Sequence, residues 1–481
     1  MKAIELKNVT FSYEGFSEKI LDKVCFEVDY GEVALLSGLS GEGKSTLLSL
    51  VTGIIPNIVQ GKVFGEVLID GENIAGSKIS RICRKVGVVL QNADSQIIHK
   101  LVEDEIAFGC ENFALAPEKI QNQVELVCKM MNLDKTWRTR SLSGGQKQRL
   151  ITASALATGQ KIIVLDEPLA NLDCDGATYL MNTLRSLAKA GYAVLVVEHR
   201  LDMVLPFVDN VWNIFGGKVV KAEDKRNYLS SQSVVISDSA EKIRFGETLF
   251  DIRGVGFCAK KREILKEITF DVKSGERLLL LGENGCGKTT LLRIIARLNK
   301  PTSGTVEHFF DKKFRINKHR KDWFRRVGVV YQNPDYQLFM PTVEREIAFG
   351  AVSKDYAEEI IELFGLNKIR KRHPQSLSEG QKRKVSIAAV ASGKPEVLIL
   401  DEPTVGQDYA GLRKLIETLN KLHDMTGNTM ITVTHDMRCA EALCDRAIVI
   451  KDGVIAKLGG KGVARDYFNG VNTVNCVRAS D

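Results

Sequence analysis

GLSGEGKST at residues 38–46 and GENGCGKTT at residues 282–290 are two copies of one pattern, G-x-x-x-x-G-K-[ST], in a single chain. Each follows an apolar run that reads as a strand, VALLS at 33–37 and RLLLLG at 277–282. Each leads into a run that reads as a helix, TLLSLV at 46–51 and TLLRII at 290–295. Strand, glycine-rich turn and helix in that order predict a phosphate cradle, because loop N–H groups and the positive end of the helix can surround an anion. Gly38, Gly41 and Gly43, with Gly282, Gly285 and Gly287, allow the close approach that a side chain would block. Ser40 and Asn284 in the loops, and Thr46 and Thr290 in the first helical turn, complete the predicted contacts. Lys44 and Lys288 would neutralise β/γ-phosphate charge, and the hydroxyls of Ser45 and Thr289 are placed for Mg²⁺.

Outward from the loops the agreement continues in order. Lys44 matches Lys288, Gln91 matches Gln332, Gln146 matches Gln381, Glu167 matches Glu402 and His199 matches His435, roughly 240 residues apart throughout. A chain of 481 residues also exceeds what one core usually supports. We read residues 1–222 as a first α/β nucleotide-binding domain and 246–481 as a second. Between them, 223–245 contains the polar, Ser-rich RNYLSSQSVVISDSAEK and reads as a linker. Each domain is expected to hold a mixed, largely parallel sheet, an antiparallel β subdomain and a helical subdomain.

Composition narrows the function classes. With 44% hydrophobic and 26% charged residues the chain is of ordinary globular type, and a net charge of +7 is too mild to point to nucleic acid. Ten cysteines without a C-x-x-C pair suggest reduced, packing cysteines and the cytosol. The opening MKAIELKNVTFSY has no signal-peptide pattern, and no run approaches 18 apolar residues, so neither export nor a membrane span is expected.

The second chemical element is an apolar strand ending in acid, KIIVLDEP at 161–168 and EVLILDEP at 396–403. A buried parallel strand delivers its last residues to the ligand edge of an α/β sheet. Asp166 and Asp401 would hold Mg²⁺ through water, and Glu167 and Glu402 would polarise the attacking water as general bases. Between cradle and strand lie SLSGGQKQR at 141–149 and SLSEGQKRK at 376–384, and beyond the strand VVEHR and VTHDM each contain a histidine.

LSGGQ before a DEP strand that is followed by a histidine resembles the ATP-binding-cassette family over about residues 1–220 and 248–460. The resemblance implies that Ser143, Gly144, Gly145 and Gln146, with Ser378, Gly380 and Gln381, form signature-helix N-termini. In that family each caps the γ-phosphate on the opposite domain's loop, so two paired domains make two shared ATP sites. It also implies that Gln91 and Gln332 contact Mg²⁺ and attacking water, and that His199 and His435 switch on the γ-phosphate. Tyr13 takes the adenine-stacking position.

The two copies differ. Glu379 replaces a glycine of the second signature, and a carboxylate about 6 Å from a γ-phosphate would oppose it by roughly 1–3 kcal/mol unless it turns to solvent. Ala259 stands where the first copy has Tyr13, with Phe257 as a possible substitute. Both sites nevertheless keep lysine, aspartate, glutamate and histidine, so both are expected to hydrolyse ATP. Cys286 inside the second loop is expected to be alkylated with loss of activity, and ATP to protect it.

The stretches VGVVLQNADSQIIHKLVEDEIAFG (Val86 to Gly109) and VGVVYQNPDYQLFMPTVEREIAFG (Val327 to Gly350) look like the ATPase subunits of energy-coupling-factor transporters, importers of vitamins and transition-metal ions. There the equivalent segment receives coupling helices of a membrane scaffold protein, which works with a substrate-capturing membrane protein. Ala93 and His99-Lys100 depart from that pattern in the first copy. The resemblance places the chain at the cytoplasmic face of the membrane as a peripheral subunit. A fused ATPase of a monosaccharide importer and a soluble twin-cassette ribosome factor are the alternatives. The basic run 312–326 is read as a solvated face or a neighbour of anionic headgroups.

Overall fold

The computed structural model describes residues 1–468 apart from 17, 40, 171, 226–227, 229–244, 260–261 and 311–319. Ser40, most of the predicted linker and most of the basic run therefore lie outside the described residues. The chain divides into two compact units, Met1–Ser233 and Val234–Asp481.

In unit 1, strands β1 (Lys2–Tyr13), β2 (Leu21–Asp29), β4 (Gly61–Ile69) and β5 (Glu72–Asn73) form an antiparallel sheet in the order β2-β1-β4-β5. The second sheet runs β10 (Lys218–Lys221), β9 (Asn210–Phe215), β3 (Val33–Gly38), β8 (Ala193–Val197), β7 (Ile162–Asp166), β6 (Val86–Val89). All of its pairs are parallel except the β9–β10 hairpin. VALLS, IIVL and AVLVV are fully buried, which is why these central strands read as continuous apolar runs rather than alternating ones. Leu47, Leu48, Leu50 and Val51 of the helix Lys44–Val51 join Phe11, Leu21, Leu36 and Leu195 in one core between the two sheets.

Unit 2 repeats the plan. Strands β12 (Arg262–Lys273), β11 (Thr248–Ala259) and β14 (Ser303–His308) form the antiparallel sheet, in that order. The large sheet runs β15 (Val327–Val330), β16 (Val397–Asp401), β17 (Thr429–Val433), β13 (Arg277–Leu281), β18 (Arg446–Lys451), β19 (Val454–Gly460), antiparallel only at its last pair. Helices Val343–Phe349, Lys354–Leu363 and Glu379–Ala391 carry a separate apolar cluster around Ile347, Ile360 and Ile387, the helical part of the unit.

Both central strands are tied at their entry by an acid. Asp209 accepts from the Val33 N–H at 2.9 Å and pairs with Arg185. Asp445 accepts from the Arg277 N–H at 2.9 Å and from its guanidinium at 2.7 Å. Among the described residues no helix is long and apolar enough to cross a membrane.

Candidate nucleotide site in each unit

The Gly-Lys-Ser/Thr loops leave the C-terminal ends of β3 and β13 and enter the helices Lys44–Val51 and Lys288–Ile295. Gly43 and Gly287 sit at the helix N-caps with φ of 104° and 106°, a conformation that side chains disfavour. A methyl group at Gly287 would lie 2.5 Å from Leu265 Cδ2, and one at Gly282 only 2.2 Å from the Ile450 carbonyl oxygen. Gly41 and Gly285 differ, since a methyl there meets nothing within 4 Å. Their glycine identity keeps open space beside the loop, which fits a phosphate. Lys44 Nζ donates to the carbonyls of Gly38 and Leu39 at 2.9 and 2.8 Å, and Lys288 Nζ to those of Gly282 and Glu283 at 2.7 and 2.8 Å. Both ammonium groups are thereby held over the loop. Ser45 is exposed on the first helical turn.

Opposite each loop stand the acids at the ends of β7 and β16. Glu167 and Glu402 both have left-handed backbones, with φ of 48° and 51°, fixed by N–H bonds to Val197 and Val433 at 2.9 Å. Such backbone strain recurs where side chains must be aimed. His199 Nε2 lies 3.3 Å from Glu167 and His435 Nε2 lies 3.4 Å from Glu402. Burial, and then the charge of Glu167, push the Asp166 carboxyl up to about 7. Burial also pushes at Glu167, but bonds from His199 and Gln91 and the charge of Lys44 outweigh it and hold that carboxyl below its ordinary value. In unit 2 burial raises Asp401, which accepts from the Thr289 hydroxyl at 3.4 Å.

The glutamines part company. Gln91 donates to Glu167 at 2.8 Å, whereas Gln332 is exposed and does not bond Glu402. In unit 2 His435 Nε2 instead meets Asn284 Oδ1 at 3.1 Å, which brings the loop and the histidine together directly.

Ser143 and Ser378 cap the helices Gly144–Ala157 and Glu379–Ala391, with reciprocal bonds to Gln146 and Gln381. This capping box explains why serine and glutamine stand three residues apart in both signatures. Gly144 and Gly145 form the first turn of one helix, and Gly380 lies in the first turn of the other, its carbonyl accepting from Gln407 at 2.8 Å. Glu379 is half-exposed, its carboxylate 3.6 Å from Lys382 Nζ. An acid in a first helical turn is favourable, so Glu379 has a local reason for its place.

Tyr13 donates or accepts at Thr46 Oγ1 over 2.9 Å, which sets its ring beside the first turn of the loop helix, and Thr46 itself is buried. Phe257, the aromatic nearest in sequence to that position in unit 2, stands two residues before the strand position that matches Tyr13. Phe257 faces Leu265 across its hairpin as Phe11 faces Leu21, and it packs on the unit 2 core, while Ala259 ends the strand. Thr290 occupies the matching helical position in unit 2. Cys286, whose alkylation is expected to inactivate the loop, lines a cavity of about 360 Å³ together with Gly282 and Asn284. The side chain is buried, and burial pushes its thiol above the ordinary value.

A family model described as "ABC transporter" matches residues 21–170 and 265–405. The chain belongs to the ABC transporter family of ATPases. It is an ATP-hydrolysing enzyme with two such domains. A Methanosarcina mazei protein named "Putative ABC transporter ATP-binding protein" is 31% identical over 94% of this chain and 88% of its own. The Bacillus subtilis protein "Putative HMP/thiamine import ATP-binding protein YkoD" is 30% identical over 94% and 90%. Among solved structures, the archaeal ribosome recycling factor aABCE1, in complex with stalk protein aP1, aligns with TM-score 0.65 and 21% identity over 96% of this chain and 92% of its own. That likeness is one of fold.

Other polar residues of this ABC ATPase escape a reading by motif alone. Glu105 is buried and accepts from the N–H groups of Ile98 and His99 at 2.9 and 2.7 Å, and Glu346 does the same for Phe339 and Met340 at 2.9 and 2.7 Å. Asp94 pairs with Lys147, and Asp335 with Lys382 at 2.9 Å, so the segment that follows Gln91 or Gln332, the Q-loop of its unit, is tied to the signature helix of that same unit. The repeat of Asp and Glu at matched positions was the available signal. Their partners become visible only when the helices pack.

Proposed function

We propose that this ATPase energises an importer of the energy-coupling-factor type, carrying a vitamin, a vitamin precursor or a transition-metal ion. The observation that carries the reading is an anchored segment with exposed apolar side chains after the unit 2 Q-loop. Tyr336, Phe339 and Phe349 are 79%, 64% and 68% exposed, and the two phenylalanine rings meet edge-on at 5.3 Å. Glu346 and the Asp335–Lys382 pair hold the backbone beneath them. Large apolar groups kept in water on an anchored backbone favour a partner with an apolar surface, such as a coupling helix of a membrane scaffold protein. Unit 1 offers a different face. Ile98 is 62% exposed, and a cavity of about 530 Å³ is lined by Lys100, Leu101, Asp104, Arg138 and Arg140. The import named for the Bacillus subtilis relative supports the same direction.

In this reading the loop amides bind the phosphates, with Lys44 and Lys288 neutralising their charge. Ser45, Asp166 and Gln91 in one unit, and Thr289, Asp401 and Gln332 in the other, would hold Mg²⁺. A hydroxyl and a carboxylate per site suit an ion that keeps waters and substrate phosphates as its other ligands. When bound, that ion neutralises charge on the transferred phosphoryl group. Glu167 and Glu402 accept the proton of the attacking water, and His199 and His435 donate to the γ-phosphate. Pairing of each signature helix with the other unit's loop, as the family resemblance implies, belongs to the same proposal, as does a peripheral place at the cytoplasmic face of the membrane. A substrate-capturing membrane protein is the further partner.

The full chain purified from detergent-solubilised membranes should bring down a scaffold and a substrate-binding membrane protein. Phe339→Asp with Phe349→Asp should release them while basal ATPase persists. Recovery of ribosomal RNA in place of membrane proteins would overturn the reading.

A further inference from the structure

Glu198 stands directly before the switch histidine of unit 1, where unit 2 has Thr434. It is 2% exposed. One carboxylate oxygen accepts from the Leu169 N–H at 2.8 Å, and the other accepts from the N–H groups of His199 at 2.8 Å and Arg200 at 3.2 Å. Leu169 lies two residues beyond Glu167, so a single side chain joins the segment after the general base to the loop that carries the histidine. Arg200 closes the same junction from the other side, donating to the carbonyls of Leu169 and Leu172 at 3.2 and 2.8 Å.

Unit 2 builds this junction differently: the His435 N–H donates to Glu402 itself at 3.2 Å, and the link to the segment beyond the general base is made by hydroxyls. Thr434, 1% exposed, meets Thr404 hydroxyl to hydroxyl at 3.2 Å and accepts from the Asp436 N–H at 3.1 Å. Thr404 is the counterpart of Leu169, since each lies two residues past its general base. A leucine offers no hydroxyl, so a threonine before His199 would find no partner there. A carboxyl group whose two oxygens reach three backbone amides serves instead. Two chemically different junctions nevertheless place histidine and glutamate at nearly the same separation, 3.3 Å in unit 1 and 3.4 Å in unit 2.

We propose that Glu198 is a positioning residue that locks the His199 loop to the segment following Glu167, the task that the Thr404–Thr434 hydroxyl pair performs in unit 2. It touches no substrate and acts through His199 and Glu167. The inference rests on the reading that these two residues take part in hydrolysis.

The test uses the full chain carrying Glu402→Gln, so that single-turnover hydrolysis reports unit 1. Glu198→Thr should lower the rate at saturating ATP by about tenfold while the half-saturating ATP concentration moves by less than about twofold, because the phosphate loop is untouched. Leu169→Thr with Glu198→Thr transplants the hydroxyl pair and should restore most of the lost rate. A variant that merely loosened the fold would not be rescued by a second substitution in that way. Hydrogen exchange at the His199 amide should quicken in Glu198→Thr and slow again in the double variant. An unchanged rate in Glu198→Thr, or a double variant equally folded yet no faster than the single one, overturns the proposal. Should the Glu402→Gln parent itself fail to hydrolyse ATP, the reading of unit 1 as a hydrolytic site falls. The junction is then judged by exchange, and undiminished protection of the His199 amide in Glu198→Thr refutes it.

Discussion

Two glycines of one loop should respond oppositely to the same added methyl group. Gly282 has φ 147° and an added Cβ would lie 2.2 Å from the Ile450 carbonyl oxygen and 2.7 Å from Cys286 Sγ. Ile450 belongs to β18, which is paired on both sides, so its carbonyl has no room to retreat. Backbone strain of roughly 1–2 kcal/mol adds to an overpacking cost of about 1–3 kcal/mol. Gly282→Ala should therefore destabilise unit 2 by about 2–5 kcal/mol. Gly285, at φ 83° with nothing within 4 Å of an added Cβ, bears only the strain, roughly 1–2 kcal/mol. Its methyl group would instead project into the space kept for phosphate, so Gly285→Ala should lose ATP affinity by about tenfold or more, the equivalent of ~1.4 kcal/mol. Urea unfolding followed through Trp323, the unit 2 tryptophan, measures the first quantity, and titration with a fluorescent ATP analogue measures the second. A Gly285→Ala protein that binds nucleotide normally would refute the assignment of this loop as the phosphate cradle. Equal destabilisation by the two substitutions would refute the packing argument.

Glu167→Gln and Glu402→Gln should each cut hydrolysis at their own site by on the order of 100-fold or more and leave ATP trapped there; retention of normal single-turnover hydrolysis at the altered site would remove the general-base role. Cys286 should react with maleimide far more slowly than the exposed Cys25 and Cys258 and should speed up on unfolding, as mass spectrometry of the labelled peptides can show. Burial pushes Asp209 up, but Arg185 and the Val33 N–H outweigh it and hold the carboxyl low. A depressed acid stabilises the folded state fully above its ordinary value of 3.8 and loses that contribution as pH falls through the folded value. Wild type should thus be more stable than Asp209→Asn at pH 7, with the gap closing in strong acid, as chemical unfolding at several pH values would show.

Much of the site was legible because its chemistry is local in sequence. A strand, a short glycine-rich loop and a helix build the phosphate cradle without help from elsewhere, and the capping serine and glutamine of each signature lie three residues apart. The duplication gave every such motif a second copy at matched spacing. Long-range partners were not legible in the same way. The motif did not show that Phe257 pairs with Leu265 as Phe11 pairs with Leu21; the hairpin register did. The place of Cys286 in the loop was legible, but its burial, which slows any reagent, is not carried by the loop sequence.

By itself the sequence determined that two ABC domains lie in one chain, and which lysines, acids and histidines each brings, since these belong to short segments whose backbone is set by glycine, capping and apolar periodicity. Only the tertiary structure decided how the acids are held. Glu167 and Glu402 acquire their left-handed backbones, Glu198 reaches the amide of Leu169, and Gln91 bonds Glu167 while Glu402 accepts from the His435 N–H. Those arrangements join residues tens of positions apart, and they exist only once parallel strands bring loop ends to one edge of a sheet.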